Sequence, residues 1–144
     1  NYTSGMLQSK KNFQYGFFEI KCKIPKQKGF WPAFWLYGGT PNEEIDWIES
    51  KTEKSNQIHV GRHSKIKSEN KFRAGWHIKK KWWGDWLKFK GNLNKDFNII
   101  SGEWDQEYIK YYLNGECIAY TKLKMPEHKS LVTNLADSLR SMAA

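Results

Sequence analysis

A chain of 144 residues has room for one domain with a sizeable core and not evidently for two. Eight Trp in a composition that is 16% aromatic, with few periodic runs of helix formers, favour sheet or a binding surface over a helical bundle. The 24 Lys and Arg against 15 Asp and Glu give a formal charge of +9, which admits a polyanionic partner. The lysines are scattered along the chain, and a solvated basic surface is the plainer reading.

No apolar run approaches the ~18 residues of a membrane-spanning helix, and no signal peptide is present. The chain opens directly in strand-like sequence, as it would if a leader had been removed. GMLQSKKNF and YGFFEIKCKIP read as two strands joined near Gly16. In the second, Phe18, Ile20, Cys22 and Ile24 alternate with Glu19, Lys21 and Lys23, which puts Cys22 on an apolar face. Cys22 and Cys117 fit no metal motif, and two free thiols are expected rather than one bridge.

GFWPAFWLYG is an apolar aromatic run whose Pro32 predicts an edge or a bulge at its start. GGTPN is a turn, EEIDWIES a strand and SNQIHVGRHSKI another. Residues 64–95 read as irregular, with a basic aromatic cluster, Lys79, Lys80 and Lys81 beside Trp82, Trp83 and Trp86. FNIISGEW and EYIKYYLNGECIAYTKL give three more strands, the last two joined by an Asn114-Gly115 hairpin. SLVTNLADSLRSMAA starts like a strand and turns helix-like at ADSLRSMAA. Roughly seven or eight short strands with little helix predict an all-β antiparallel sandwich, in a single domain over 1–144.

The strand EEIDWIES carries the chemistry. Glu44, Asp46 and Glu49 are spaced two and then three, whereas a regular strand repeats every two. A β-bulge between Asp46 and Glu49 inserts one residue and returns Glu49 to the face of the other two acids. Trp47 and Ile48 then take the bulge, and Ile45 faces the opposite core. Three carboxylates on one face repel, so their pKa values move apart. One stays protonated while another stays ionised, which is what glycoside hydrolysis requires. An exposed acidic strand end, or a calcium site of three carboxylates, is the plainer alternative. Trp31 and Trp35, just upstream, have the flat faces on which sugars stack. Core packing is the plainer role for such Trp.

SGMLQSKKNFQYGFFEIKCKIPKQKGFWPAFWLYG followed by NEEIDWIE resembles glycoside hydrolase family 16, the group of laminarinases, lichenases, agarases, porphyranases and carrageenases. The resemblance continues through IHVGRH, DFNIISGEW, YIKYYLNGECIA and LVTNLA, and covers about residues 3–136. It implies a concanavalin A-like jelly roll with a concave cleft and retaining endo-hydrolysis of a β-linked polysaccharide. Carried over by position, Glu44 matches the nucleophile, Asp46 the assisting acid and Glu49 the acid/base. Trp31 and Trp35 match aromatic positions near the cleft. Alternation puts His59, Gly61 and His63 on one face, and His63 is the candidate for the cleft, with Trp104 a further one. No metal is expected in the chemistry. Family members often carry a structural calcium, but no ligand set for it is matched here.

Domains of the family usually exceed ~220 residues, so the resemblance implies a partial domain that lacks terminal strands and leaves sheet edges uncovered. The expected substrate is a β-1,3- or mixed-linkage glucan, with a neutral or sulfated marine galactan as the alternative. The expected location is secreted, cell-surface or periplasmic. A non-catalytic carbohydrate-binding sandwich and a basic, aromatic nucleic-acid binder are the rivals. The first has no use for a proton donor beside a nucleophile. The second leaves the acid strand unexplained, and no nucleic-acid partner is expected.

Overall fold

The computed structural model describes residues 3–40, 43–72, 77–122 and 124–137, with backbone alone for 65–72, 77–83, 136 and 137. Ten strands are found among the described residues: β1 (Gly5–Phe13), β2 (Gly16–Cys22), β3 (Phe30–Tyr37), β4 (Glu43–Glu49), β5 (Gln57–Phe72), β6 (His77–Lys88), β7 (Asn98–Trp104), β8 (Tyr108–Leu113), β9 (Glu116–Lys122) and β10 (Lys129–Asp137). Every pairing is antiparallel. The strands form one continuous path, β1-β10-β3-β4-β5-β9-β8-β7-β2, with β6 paired to β5.

The path folds back on itself at β5. The first half of that 16-residue strand pairs with β4, and its last residues, Glu69 to Phe72, pair with β9. One layer is therefore β1-β10-β3-β4-β5-β6, and the other is β9-β8-β7-β2. Alternation decides what lies between them. Phe34 and Leu36 of β3, Ile45 of β4 and Ile58 and Val60 of β5 are buried on one side. Phe18, Ile100, Ile109, Tyr111 and Leu113 meet them from the other layer.

Trp47 joins the two layers. Its ring stacks on Phe18 at 6.0 Å and meets Tyr111 edge-on at 5.5 Å. Burying ~200 Å² of aromatic surface at ~25 cal/mol per Å² contributes about 5 kcal/mol. Gly102 of β7 makes room for the ring, because a Cβ there would lie 2.1 Å from Trp47 Cε3.

Several expectations change. Residues 64–95 are not irregular: β5 continues to Phe72 and pairs with β6 as a hairpin. Its polar, lysine-rich sequence hides the strands, because backbone pairing needs no apolar alternation. Pro32 does not mark an edge, since β3 lies between β10 and β4. It sits near the start of β3, before the β4 ladder begins at Ala33. A residue without an N–H does least harm there. Ala136 and Asp137 are strand rather than helix, and the rest of the tail lies outside the described residues. The Asn114-Gly115 hairpin forms as expected, with both residues at positive φ. Cys22 and Cys117 are free.

β1 and β2 are the two ends of the path. Between them opens an apolar slot of about 440 Å³, lined in part by Met6, Ile20, Ile24, Phe34 and Leu135.

Candidate active site

The outer face of the β3-β4-β5-β6 layer is built of rungs, because directly paired residues in an antiparallel sheet point the same way. Ala33, Glu49, His59 and Trp86 form one rung, and Trp35, Asp46, Gly61 and Gly84 form the next. The third begins with Tyr37, Glu44 and His63. Two register shifts create this order. Phe34 pairs with Ile48 while Trp35 pairs with Asp46, so Trp47 is the extra residue. On the other side, three steps from Asp46 to Glu49 match two steps from Gly61 to His59. The bulge turns Trp47 and Ile48 into the core, where they are 1% and 2% exposed, and brings Glu49 round to the face of Glu44 and Asp46.

Glu49 accepts a hydrogen bond at each oxygen. Trp31 Nε1–H donates to Oε1 at 2.8 Å, and His59 Nδ1 lies 2.7 Å from Oε2. Burial pushes this carboxyl up. The hydrogen bond and charge of His59, the Trp31 bond and the charge of His63 outweigh it, and Glu49 is held below the ordinary glutamate value.

Asp46 and Glu44 behave oppositely. Asp46 is 3% exposed, and burial pushes its carboxyl well above the carboxylate range. The charges of Glu44 and Glu49 and a hydrogen bond to Glu44 act the same way. Burial also raises Glu44; the Asp46 hydrogen bond works against it and the Glu49 charge adds to it. Of the three acids, Asp46 is the one pushed hardest toward its protonated form, with Glu44 as the neighbour that favours it. His63 Nε2 stands 3.6 Å from Glu44 Oε1 and 3.8 Å from Asp46 Oδ2, longer than hydrogen bonds. Burial lowers the His63 pKa, and the charges of His59 and Arg62 lower it further, against a rise from Glu49. One donor atom from each of Glu44, Asp46 and His63 lies within 4.8 Å of the others. That spacing admits a cation, and it equally suits carboxyls that share a proton.

Around the acids stands an aromatic wall. Trp31 and Trp86 meet edge-on at 6.0 Å, and the Lys51 ammonium lies 5.1 Å from the Trp31 ring and 5.6 Å from that of Trp86. Trp35 Nε1–H donates to Asn134 Oδ1 at 2.8 Å, and the Trp35 ring meets Tyr37 edge-on. Trp104, expected in the cleft, belongs to the core. It is 1% exposed, packs edge-on against Tyr15, and carries the Lys129 ammonium 4.9 Å from its ring. Its place on β7 turns it between the layers, so it has no face to offer a ligand. The side chains of Lys79, Lys80, Lys81, Trp82 and Trp83 lie outside the described residues.

The structure adds three residues to the expected set: His59, Trp86 and Gly84. Strand alternation already puts His59 on the same face as His63, but only the register to β4 sets it against Glu49. Trp86 belongs to a cluster that reads as a surface feature, and only its pairing with His59 brings it onto the face of the acids.

The family model for glycosyl hydrolases family 16 matches residues 1–134. Among curated proteins, the endo-1,3-1,4-beta-glycanase ExoK of Rhizobium meliloti is 28% identical over 122 residues, which cover 82% of this chain and 40% of that protein. A glucan endo-1,3-beta-glucosidase of Cryptopygus antarcticus is also 28% identical, over 80% of this chain and 42% of its own length. The chain thus spans about two fifths of these relatives. Among solved structures, the catalytic domain of an endo-1,3-beta-glucanase (laminarinase) from Thermotoga petrophila aligns with a TM-score of 0.74 at 23% identity, over 93% of this chain and 57% of that one. That likeness shows the jelly-roll fold, in agreement with the two antiparallel layers seen here. Together, the bulged acid strand, the fold around it and a family match over nearly the whole chain establish that this chain belongs to glycosyl hydrolases family 16.

Proposed function

We propose that the chain is a retaining endo-glycoside hydrolase acting on a β-1,3- or mixed-linkage glucan. The carrying observation is the bulge that brings Glu49 to the face of Glu44 and Asp46, in surroundings that push their proton affinities in opposite directions. Asp46 keeps its proton and hydrogen-bonds Glu44, so Glu44 is left to act as the nucleophile. Glu44 attacks the anomeric carbon as Glu49 delivers a proton to the glycosidic oxygen, and a covalent glycosyl–Glu44 ester forms. Glu49 then takes a proton from the water that breaks the ester. Trp31, Trp35 and Trp86 supply stacking faces for the sugar rings.

The names of the relatives favour a glucan over a galactan. Residues 1–144 act as one catalytic unit in this reading. The substrate is a large polymer that must be met outside the cytoplasm, which favours an exported protein. The chemistry uses carboxyls and a proton, so a chelator is expected to leave the rate unchanged.

A reducing-sugar assay against laminarin, mixed-linkage glucan, agarose, porphyran and carrageenan tests the reading. Release from laminarin or mixed-linkage glucan is expected. Binding of these polymers with no release from any would make the chain a carbohydrate-binding sandwich instead.

A further inference from the structure

Glu49, as held here, favours its carboxylate form over the protonated one. Both its oxygens accept hydrogen bonds, and its charge is stabilised from two sides. The reaction proposed above needs the same group as an acid first and a base second. The proton for the first step must then reside beside Glu49. His59 is the titratable side chain within hydrogen-bonding distance of it among the described residues.

The imidazole is seated deliberately. A Cβ on Gly84 would lie 2.5 Å from His59 Nε2 and 2.6 Å from Cε1, so the ring rests on bare β6 backbone. Gly84 does not have a positive φ, so glycine serves here for room rather than for a turn. Trp86, two residues on, closes the other side with its ring 5.4 Å from the imidazole. His59 therefore has little freedom to leave Glu49.

We propose that His59 and Glu49 hold the catalytic proton jointly, with Gly84 as the seat that fixes the imidazole; this rests on the glycosidase reading above. Between turnovers the proton sits on Nδ1 as imidazolium against carboxylate. In the first step it crosses to Glu49 as Glu49 protonates the glycosidic oxygen; the C–O bond breaks, the leaving chain departs as an alcohol, and the Glu44–carbon bond forms. In the second step water attacks the anomeric carbon, the Glu44 bond breaks, and the water proton passes to Glu49 and back to His59. No proton is gained or lost over the cycle. His59 is a positioning residue that acts through Glu49, and the pair titrates as a unit.

The charged groups around the pair come from each neighbouring strand. β4 contributes Glu44 and Asp46, the segment after it Lys51, and β5 contributes His63. Arg62 of β5 and Asp85 of β6 alternate to the opposite side. None of these is within hydrogen-bonding distance of Glu49 in place of His59.

The test is the pH dependence of kcat/KM on mixed-linkage glucan for the wild type, His59→Gln and Gly84→Ala. If the proton is shared, the alkaline limb in the wild type marks its loss from the pair. Both variants then move that limb to lower pH, by about one unit or more, because Glu49 must carry the proton alone. If His59 merely tunes Glu49, removing its positive charge lets burial raise the carboxyl, and the limb moves to higher pH. A limb that moves up, or does not move, overturns the proposal. Gly84→Ala displaces the ring without altering its chemistry, and it serves if His59→Gln fails to fold.

A nitrogen-15 spectrum separates this inference from the glycosidase reading. At the pH of maximal activity, the wild type should show both His59 nitrogens protonated, and Glu49→Gln should show one. The same state in both chains overturns the shared proton whether or not any glucan is cleaved. A wild type that cleaves no glucan, with the spectra as expected, counts against the glycosidase reading alone.

Discussion

Glu49 with His59, and Glu44 with His63, are the same two residue types on the same two strands, two rungs apart. Yet they behave differently. The first pair meets at 2.7 Å with a Trp31 N–H on the other oxygen, and Glu49 is held low. The second stands at 3.6 Å beside buried Asp46, and Glu44 is raised. Strand register makes the pairs, but about one ångström of separation and the company of a second acid decide their charge. A retaining glycosidase needs its acid/base protonated and its nucleophile ionised, and the free chain biases the two carboxyls the other way, with Glu49 held low and Glu44 raised.

The comparison breaks most completely at Glu44. Glu44→Gln removes the nucleophile and should lower kcat by ~10⁴–10⁶-fold, the scale for losing a group that acts as part of a unit. Binding of laminarin, read by calorimetry, should change little. Glu49→Gln should cost about 10²–10⁴-fold, the usual worth of general acid–base catalysis. That loss should shrink on aryl glycosides, whose leaving groups need no proton. Equal losses on both substrates would count against Glu49 as the acid.

Gly102→Ala attacks the bulge from behind, by driving a methyl group into the Trp47 ring. Overpacking of this kind costs about 1–3 kcal/mol, to be read as a lowered midpoint in urea. The two acids should also part company in stability. Asp46 binds its proton more tightly folded than unfolded, so it favours the fold below its unfolded value near 3.9 and loses that advantage as pH rises through its raised folded value. Asp46→Asn should therefore stabilise the chain at neutral pH, by about 1 kcal/mol. Glu49 has the opposite sign: its contribution is present above about 4.3 and is lost as pH falls through its lowered folded value. Glu49→Gln should therefore destabilise at neutral pH, and thermal melts of both variants check the pair of signs. His63→Gln should have the smallest effect, a few-fold in kcat/KM, worth about 1 kcal/mol.

Much of this arrangement was legible in the sequence because it depends on local rules. The two-then-three spacing of acids demands a bulge, and the bulge is there. Asn114-Gly115 demands a two-residue hairpin, and its φ values are positive. What was not legible depends on which strand lies beside which. Trp104 alternates correctly, but its face is core or cleft only once β7 is known to lie across from β4. His59 and His63 are equivalent by alternation, and only register sets His59 against Glu49. The β5-β6 hairpin is hidden because its lysines and tryptophans carry no simple apolar period. Trp86 joins the face of the acids by pairing with His59, which no short stretch of sequence encodes.

The most direct test of the account is the anomer released first when the chain cleaves mixed-linkage glucan, followed by proton NMR before mutarotation. Two carboxyls acting in turn from one kinked strand predict the β-anomer as the first product. First release of the α-anomer would mean a single inverting displacement, and the roles given to Glu44 and Glu49 would not stand.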